Sequence, residues 1–160
     1  MDIAHLEQMA TLEKIHYTPF NLECTDSGIH RIPDHDKAIV GLPQIVWADQ
    51  TPWREANLWA LEQAGKGTES KTTMSCITHL HAYAKWLESQ NVDWWHFPAR
   101  EAERCLTRFR GDVIAARDNG ELAPSTASQR MSAVTRFYRW LAASRLLSAD
   151  WPMWTDKQVG

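Results

Sequence analysis

The sequence is poor in cysteine and has no long apolar segment. Its three cysteines, Cys24, Cys76 and Cys105, lie far apart and form no C-x-x-C pair, so they predict neither a disulfide framework nor a cysteine zinc site. No apolar run is long enough to span a bilayer, and the first residues do not resemble a secretory signal peptide. We therefore expect a soluble cytoplasmic protein with no membrane partner.

Acidic residues are missing from one long stretch of the chain. No Asp or Glu occurs from Ser125 to Ser148, whereas a solvated helix face usually mixes both signs. The two parts of the chain also differ in charge. Residues 1–64 hold ten acids and four bases, a net of −6, and residues 65–160 hold ten acids and thirteen bases, a net of +3. This asymmetry indicates an anionic partner for the second part.

Residues 1–50 predict little regular structure. Four apolar residues fit a short helical stripe at the start, namely Ile3, Leu6, Met9 and Ala10. From Thr18 to Gln50 the chain is rich in Pro, Gly, Asp and His. Its apolar run AIVGLPQIVWA is a candidate strand, which Pro43 would break or confine to a sheet edge. We predict an irregular, partly ordered N-terminal extension.

Residues 51–152 carry the periodicity of helices, and an apolar content of 44% is enough for a packed core. The first helix is predicted from Thr51 as N-cap to Gly65, and the second from about Ser70 to Asn91. The third is predicted from Pro98 to Asn119, and the fourth from Ser125 as N-cap. Apolar stripes at helical spacing are Ile77, Leu80, Ala84 and Leu87, then Met131, Val134, Phe137, Tyr138 and Leu141. The predicted fold is all-α.

Polar side chains share one flank on each of two helices, because successive residues of a helix are rotated by about 100°. The flank of the second helix lies opposite Leu80 and consists of Lys71, Met74, Ser75, Thr78 and Lys85. The flank of the fourth helix consists of Ser128, Gln129, Ser132, Arg136 and Arg139. The second helix also begins with hydroxyls and backbone N–H groups that suit a phosphate. Taken alone, either flank is more typical of a solvated surface. The two flanks together, with the charge asymmetry, fit a solvated surface and an anion-binding surface equally.

The order and spacing of these helices resemble the N-terminal core-binding domain of tyrosine recombinases of the phage-integrase type. The resemblance covers about residues 51–152. The matching positions are Thr72, Leu80, Tyr83, Trp86 and Leu87, then Thr126, Arg130, Met131, Ser132, Ala133, Phe137, Tyr138, Trp140 and Leu141, closing at Asp150, Trp151 and Pro152. One departure is Thr135, where the family often has arginine.

The resemblance implies a SAM-like four-helix bundle that clamps duplex DNA at a recombination site. It implies an extension at 1–50, a DNA-binding domain at 51–152, and a linker at 153–160 toward a catalytic domain. The implied DNA-contacting residues are Lys71, Thr72, Met74, Ser75, Thr78, Thr126, Ser128, Gln129, Arg130, Ser132 and Arg136, and the flanks add Lys85 and Arg139. It further implies self-association of the full-length protein on DNA and a place in the bacterial nucleoid.

Catalytic chemistry is not expected in this chain. In the family that it resembles, a tyrosine nucleophile and an Arg/His/Arg cluster lie in a second domain, and this sequence has no H-x-x-R motif. Tyr83 and Tyr138 belong to or border apolar stripes, and Tyr17 lies in the extension. His30, Asp34, His35 and Asp36 fit a solvated loop better than a metal site. We expect no cofactor and no metal.

Two questions stay open from the sequence. Gln129 and Arg130 have planar groups that can pair with base edges, but Arg130 borders the apolar stripe and fits equally a side chain folded along the bundle. The nine tryptophans are expected to serve packing. Four of them are expected to plug the ends of the bundle, with base stacking as the alternative: Trp94, Trp95, Trp151 and Trp154. The alternative function is a helical protein-interaction module in which tryptophans form a groove for a partner.

Overall fold

The computed structural model describes residues 9–151 and residue 153. Four strands precede four helices, with short 3₁₀ turns at His35–Lys37 and Glu101–Glu103. The strands are β1 (Thr11–Tyr17), β2 (Phe20–Thr25), β3 (Gly28–Pro33) and β4 (Ile39–Val46). The helices are α1 (Arg54–Gly65), α2 (Ser70–Gln90), α3 (Cys105–Asp118) and α4 (Pro124–Ala143).

The prediction of an all-α fold with an irregular extension is wrong, because the chain is mixed α/β. Helical residues, with the 3₁₀ turns included, account for 51% of the described residues and strands for 19%, in two antiparallel two-stranded sheets, β1–β4 and β2–β3. The hairpin β2–β3 left no periodic signal because every residue in its two strands is exposed. The hairpin lies within the stretch from Thr18 to Gln50 that was predicted to be irregular. Its turn is formed by Asp26 and Ser27, and Gly28 follows at φ +123°, which glycine adopts without steric cost.

The short helix predicted at the start of the chain is not seen among the described residues, which begin with a strand. Residues 11–17 are β1, directly preceded by Met9 and Ala10, while Ile3 and Leu6 lie outside the described residues. β1 pairs with β4 in a register that joins Leu12 to Ile45 and Ile15 to Leu42. Pro43 is accommodated because β4 has a single neighbouring strand, so its missing N–H faces no second partner.

Side chains of the helices hold the strands onto the bundle. Asn57 of α1 accepts a hydrogen bond from the backbone N–H of Ile45 (2.7 Å) and donates one to its carbonyl (3.1 Å). Glu88 of α2 accepts hydrogen bonds from the backbone N–H groups of Ala10 (2.6 Å) and Ala48 (2.9 Å). Leu42 and Ile45 are buried within the same apolar cluster as the helices. β4 is therefore part of the core.

Aromatic side chains fill the centre of this core. Trp53 is fully buried, and its ring centroid lies 4.7 Å from that of Trp47 and 5.3 Å from that of Phe137. Trp94 is buried as expected. Trp95 and Trp151 are about half exposed, so they do not close the ends of the bundle as predicted. Trp154 lies outside the described residues, as does most of the predicted linker 153–160.

The periodic stripes are buried as predicted, apart from the partly exposed Met131, but three helix starts differ. α1 begins at Arg54 because Asp49 Oδ1 accepts hydrogen bonds from both the N–H and the hydroxyl of Thr51, which removes Thr51 as a cap. α3 begins at Cys105 rather than Pro98, since Arg104 donates to the carbonyls of Pro98 and Ala99 and holds an irregular segment. α4 begins at Pro124, one residue before the predicted N-cap.

None of the helices within residues 9–151 is both long and apolar enough to cross a membrane.

Candidate nucleic-acid interface

The polar flanks of α2 and α4 meet along one groove of about 430 Å³, which we call the α2–α4 groove. Lys71 on α2 and Arg136 on α4 line the same groove, so their charges face one space. Its lining consists of Lys71, Thr72, Ser75, Cys76 and His79 from α2 and of Ser128, Gln129, Ser132 and Arg136 from α4. Seven of the predicted contact residues are thus brought together.

Arg136 is anchored within the groove by a contact between the two helices. Its Nη2 donates a hydrogen bond to the Sγ of the buried Cys76 at 3.1 Å. A guanidinium carries five N–H donors in a rigid fork, so most of its donors remain able to bind an anion. The side chain itself is exposed, which leaves those donors open to solvent. Anchoring by Cys76 orients the charge before any ligand arrives.

His79 is partly buried in the same groove, where its surroundings disfavour the charged form of the ring. Burial lowers the pKa of His79 below its usual value, the positive charge of Arg130 lowers it further, and a hydrogen bond with Gln129 opposes the shift. Arg130 itself is half buried, and burial also lowers its pKa. Its Nε is shielded from solvent with no hydrogen-bond partner among the described residues. Arg130 therefore lies along the bundle rather than at the groove surface.

Four other predicted contact residues line neither the α2–α4 groove nor the second groove, between α3 and α4, that is described below: Met74, Thr78, Lys85 and Thr126. Thr78 donates its hydroxyl to the carbonyl of Met74 at 2.7 Å, a bond within its own helix. The predicted phosphate site at the start of α2 is also partly occupied, because the N–H groups of Thr72 and Thr73 both donate to the Glu69 carbonyl. An anion at the start of α2 would therefore be bound by side chains rather than by these two backbone N–H groups.

A second groove, of about 420 Å³, lies between α3 and α4, and we call it the α3–α4 groove. Arg139 lines it, as do Arg110 and Arg117, which the sequence analysis missed. The signal was present, since Thr107, Arg110, Ile114 and Arg117 recur at intervals of three and four residues. The two grooves share Ser128, Ser132 and Arg136, so they run along both sides of the exposed ridge of α4.

Among the described residues no acid lines either groove, although the whole chain has more acids than bases. The acids are placed elsewhere. A third pocket, at the other end of α2, is lined by Asp49, Glu88 and Asp93 with three tryptophans. Cations and hydroxyls therefore line the two grooves between α2, α3 and α4, and these three acids line a different pocket. Grooves lined in this way attract polyanions.

The tyrosines on the helices form a buried pair. The hydroxyls of Tyr83 and Tyr138 lie 2.5 Å apart, and Tyr138 donates to the carbonyl of Trp94 at 2.7 Å. Both side chains are fully buried, and burial raises their pKa values well above the usual range. Neither hydroxyl reaches solvent, so neither can attack a phosphodiester in this conformation.

The loop histidines and aspartates are engaged separately. His30 shares a hydrogen bond with Ser27, and Asp34 forms an ion pair with Lys37. Within residues 9–151 and 153, no three His, Cys, Asp or Glu side chains are grouped so as to hold a metal ion.

Comparison of the chain with protein-family models, with curated proteins and with solved structures finds no significant match.

Proposed function

We propose that this protein binds duplex DNA through the α2–α4 groove. The observation that carries the proposal is the meeting of Lys71 and Arg136 in a groove whose lining, over the part of the chain that the structure describes, holds hydroxyls and an amide but no carboxylate. Phosphates supply most contacts in protein–DNA interfaces, and Lys, Arg, Ser and Thr are the side chains that bind them. A groove with this lining suits the backbone of a nucleic acid.

The side chains divide into two roles. Lys71 and Arg136 neutralise phosphates, while Ser75, Ser128 and Ser132 donate hydrogen bonds to phosphate oxygens. Gln129 is exposed in the same lining, and its planar amide suits the edge of an adenine. Arg130 is withdrawn into the bundle and takes no part in base recognition in this proposal.

The biological setting that we propose is site-specific recombination, with this chain as the DNA-clamping domain of a tyrosine recombinase. Its support is the order of sequence motifs from Thr72 to Pro152 together with the groove between the helices that carry them. The buried positions of Tyr83 and Tyr138 agree with a binding role for this chain, with the tyrosine chemistry supplied elsewhere.

Titration of a labelled mixed-sequence duplex at several salt concentrations tests the proposal. Lys71→Gln should weaken binding on every sequence and reduce the slope of log K against log salt by about 0.9, the contribution of one phosphate contact. Lys85→Gln is the matched control, because it removes the same charge from the same helix outside both grooves. Absence of binding at low salt, or equal effects of the two variants, would refute DNA binding by this groove.

A second candidate function is protein interaction through the pocket at the far end of α2. Trp47, Trp94 and Trp95 line it together with the acids Asp49, Glu88 and Asp93, and Trp95 is 54% exposed. Aromatic faces and carboxylates together suit a cationic side chain. Under this candidate Trp95→Ala abolishes capture of an arginine-rich peptide, and the chain shows no salt-dependent affinity for DNA.

A further inference from the structure

The α3–α4 groove adds a second cationic wall to the same face of the molecule. Arg110 and Arg117 of α3 line it opposite Arg136 and Arg139 of α4, and no acid within residues 9–151 lines it. Arg110 has no hydrogen bond or ion pair with another described residue. Arg117 pairs with its neighbour Asp118 at 3.1 Å, but both side chains are largely exposed. Exposed pairs of this kind contribute little free energy, so Arg117 can exchange that partner for another anion.

The residues that line both grooves show how the cationic residues of α2 and those of α3 are placed relative to each other. Ser128, Ser132 and Arg136 line both grooves, so the exposed ridge of α4 separates the wall on α2 from the wall on α3. A helix with its side chains is about 10–12 Å across. The major groove of B-form DNA is about 12 Å wide and is bordered by two phosphate backbones. A ridge of this width, flanked by cations on both sides, has the proportions of that groove.

We propose that α3 is a second DNA-contacting element, in which Arg110 and Arg117 bind phosphates on the side of the α4 ridge opposite Lys71. This inference rests on the proposed function, since it concerns the same ligand. It goes beyond that proposal by assigning a phosphate-binding role to a helix that the sequence analysis left without one. Arg139, which lines the α3–α4 groove and not the α2–α4 groove, belongs to this second wall.

The apolar floor of the α3–α4 groove does not compete with this role. Leu106 and Val113 are buried at the base, and the partly exposed Ile114 and Met131 lie beside them. The arginines reach past this floor on long side chains, whose apolar stems can cover it while the guanidinium groups stay in water. The charged rim then meets the ligand.

The test is the salt dependence of duplex binding by the full chain. The double variant Arg110→Gln/Arg117→Gln should lower the slope of log K against log salt by about 1.8, which is about 0.9 for each lost phosphate contact. Arg54→Gln/Arg100→Gln is the matched control, because it removes two exposed arginines that line neither groove. Arg110→Lys/Arg117→Lys keeps both charges and should retain the slope. Circular dichroism confirms that each variant is folded.

The outcomes separate this inference from the proposed function. A slope that falls in the α3 double variant, and stays unchanged in the control, supports the second wall. If the wild-type chain and Lys71→Gln behave as proposed while the α3 double variant matches the control, the second wall is refuted and DNA binding by the α2–α4 groove stands. If the wild-type chain does not bind duplex at low salt, both proposals are refuted.

Discussion

Arg136 of α4 and Cys76 of α2, which are sixty residues apart in the chain, are joined by a hydrogen bond of 3.1 Å between the two helices. One partner is buried and the other reaches the surface, so a core thiol orients a charge in the α2–α4 groove. The contact makes the geometry of the groove depend on the packing beneath it. It also means that Cys76 should behave as a buried thiol.

Thiol accessibility should therefore differ among the three cysteines. Cys24 is exposed on β2, whereas Cys76 and Cys105 are buried, and burial also raises the pKa of the Cys105 thiol. We expect one thiol to react rapidly with an aromatic disulfide reagent in the native protein and all three in denaturant. Cys24→Ser should abolish the rapid phase. Rapid reaction of two thiols in native protein would contradict the burial of Cys76.

The Tyr83–Tyr138 pair should contribute to stability as a unit. Tyr138→Phe removes the hydrogen bond to the Tyr83 hydroxyl and the shorter of the two bonds to the Trp94 carbonyl, which keeps the Cys105 thiol at 3.5 Å. The loss should lower the free energy of unfolding by about 1–3 kcal/mol. Because the two hydroxyls share one bond, the double variant Tyr83→Phe/Tyr138→Phe should cost less than the sum of the single variants. Urea denaturation of all four proteins measures the coupling, and strict additivity would contradict it.

Stability should fall in alkaline solution because of the same pair. Burial holds the pKa of each tyrosine well above the value of about 10 in the unfolded chain. Above about pH 10 the unfolded state therefore loses protons that the folded state retains, and unfolding becomes more favourable. Wild-type protein should show this loss of unfolding free energy above pH 10, and the double phenylalanine variant should show less of it.

His79 should make stability fall in mildly acidic solution. Its pKa in the folded protein lies below the reference value of 6.5, so just below that pH the unfolded state binds more protons than the folded state. The free energy of unfolding should decrease as pH falls through this range. Part of the decrease should be absent in His79→Gln, and an NMR titration of the His79 ring checks the direction of the shift. A pKa at or above 6.5 would contradict the prediction.

The two strand pairs should differ sharply in their contribution to folding. Ile45→Ala on β4 removes a fully buried side chain and should cost about 2–5 kcal/mol. Leu22→Ser and Ile29→Ser on the β2–β3 hairpin should each change the free energy of unfolding by less than about 0.5 kcal/mol, since both side chains are about two thirds exposed. Thermal or urea denaturation makes the comparison. Equal costs would contradict the separation of β4 from the hairpin.

Part of the candidate site could be predicted because helical faces depend on local spacing. Lys71, Ser128, Ser132 and Arg136 were assigned to exposed flanks by rotation alone, and these four lie in the α2–α4 groove. Met74, Thr78 and Lys85 share the flank of Lys71 but lie outside the groove, because α4 packs against one side of α2 only. The rotation of about 100° per residue identifies the exposed face of a helix, but it does not show which other element packs beside that face.

By itself the sequence determined four helices, their buried stripes and the acid-free surface of α4, since each depends on residues three or four positions apart. Tertiary structure alone decided that β4 joins the core, where Asn57 binds the backbone of Ile45, and that α3 brings its arginines beside α4. Those relationships join residues distant in the chain. They are selected by the fit of side chains in a close-packed interior, which no local period records.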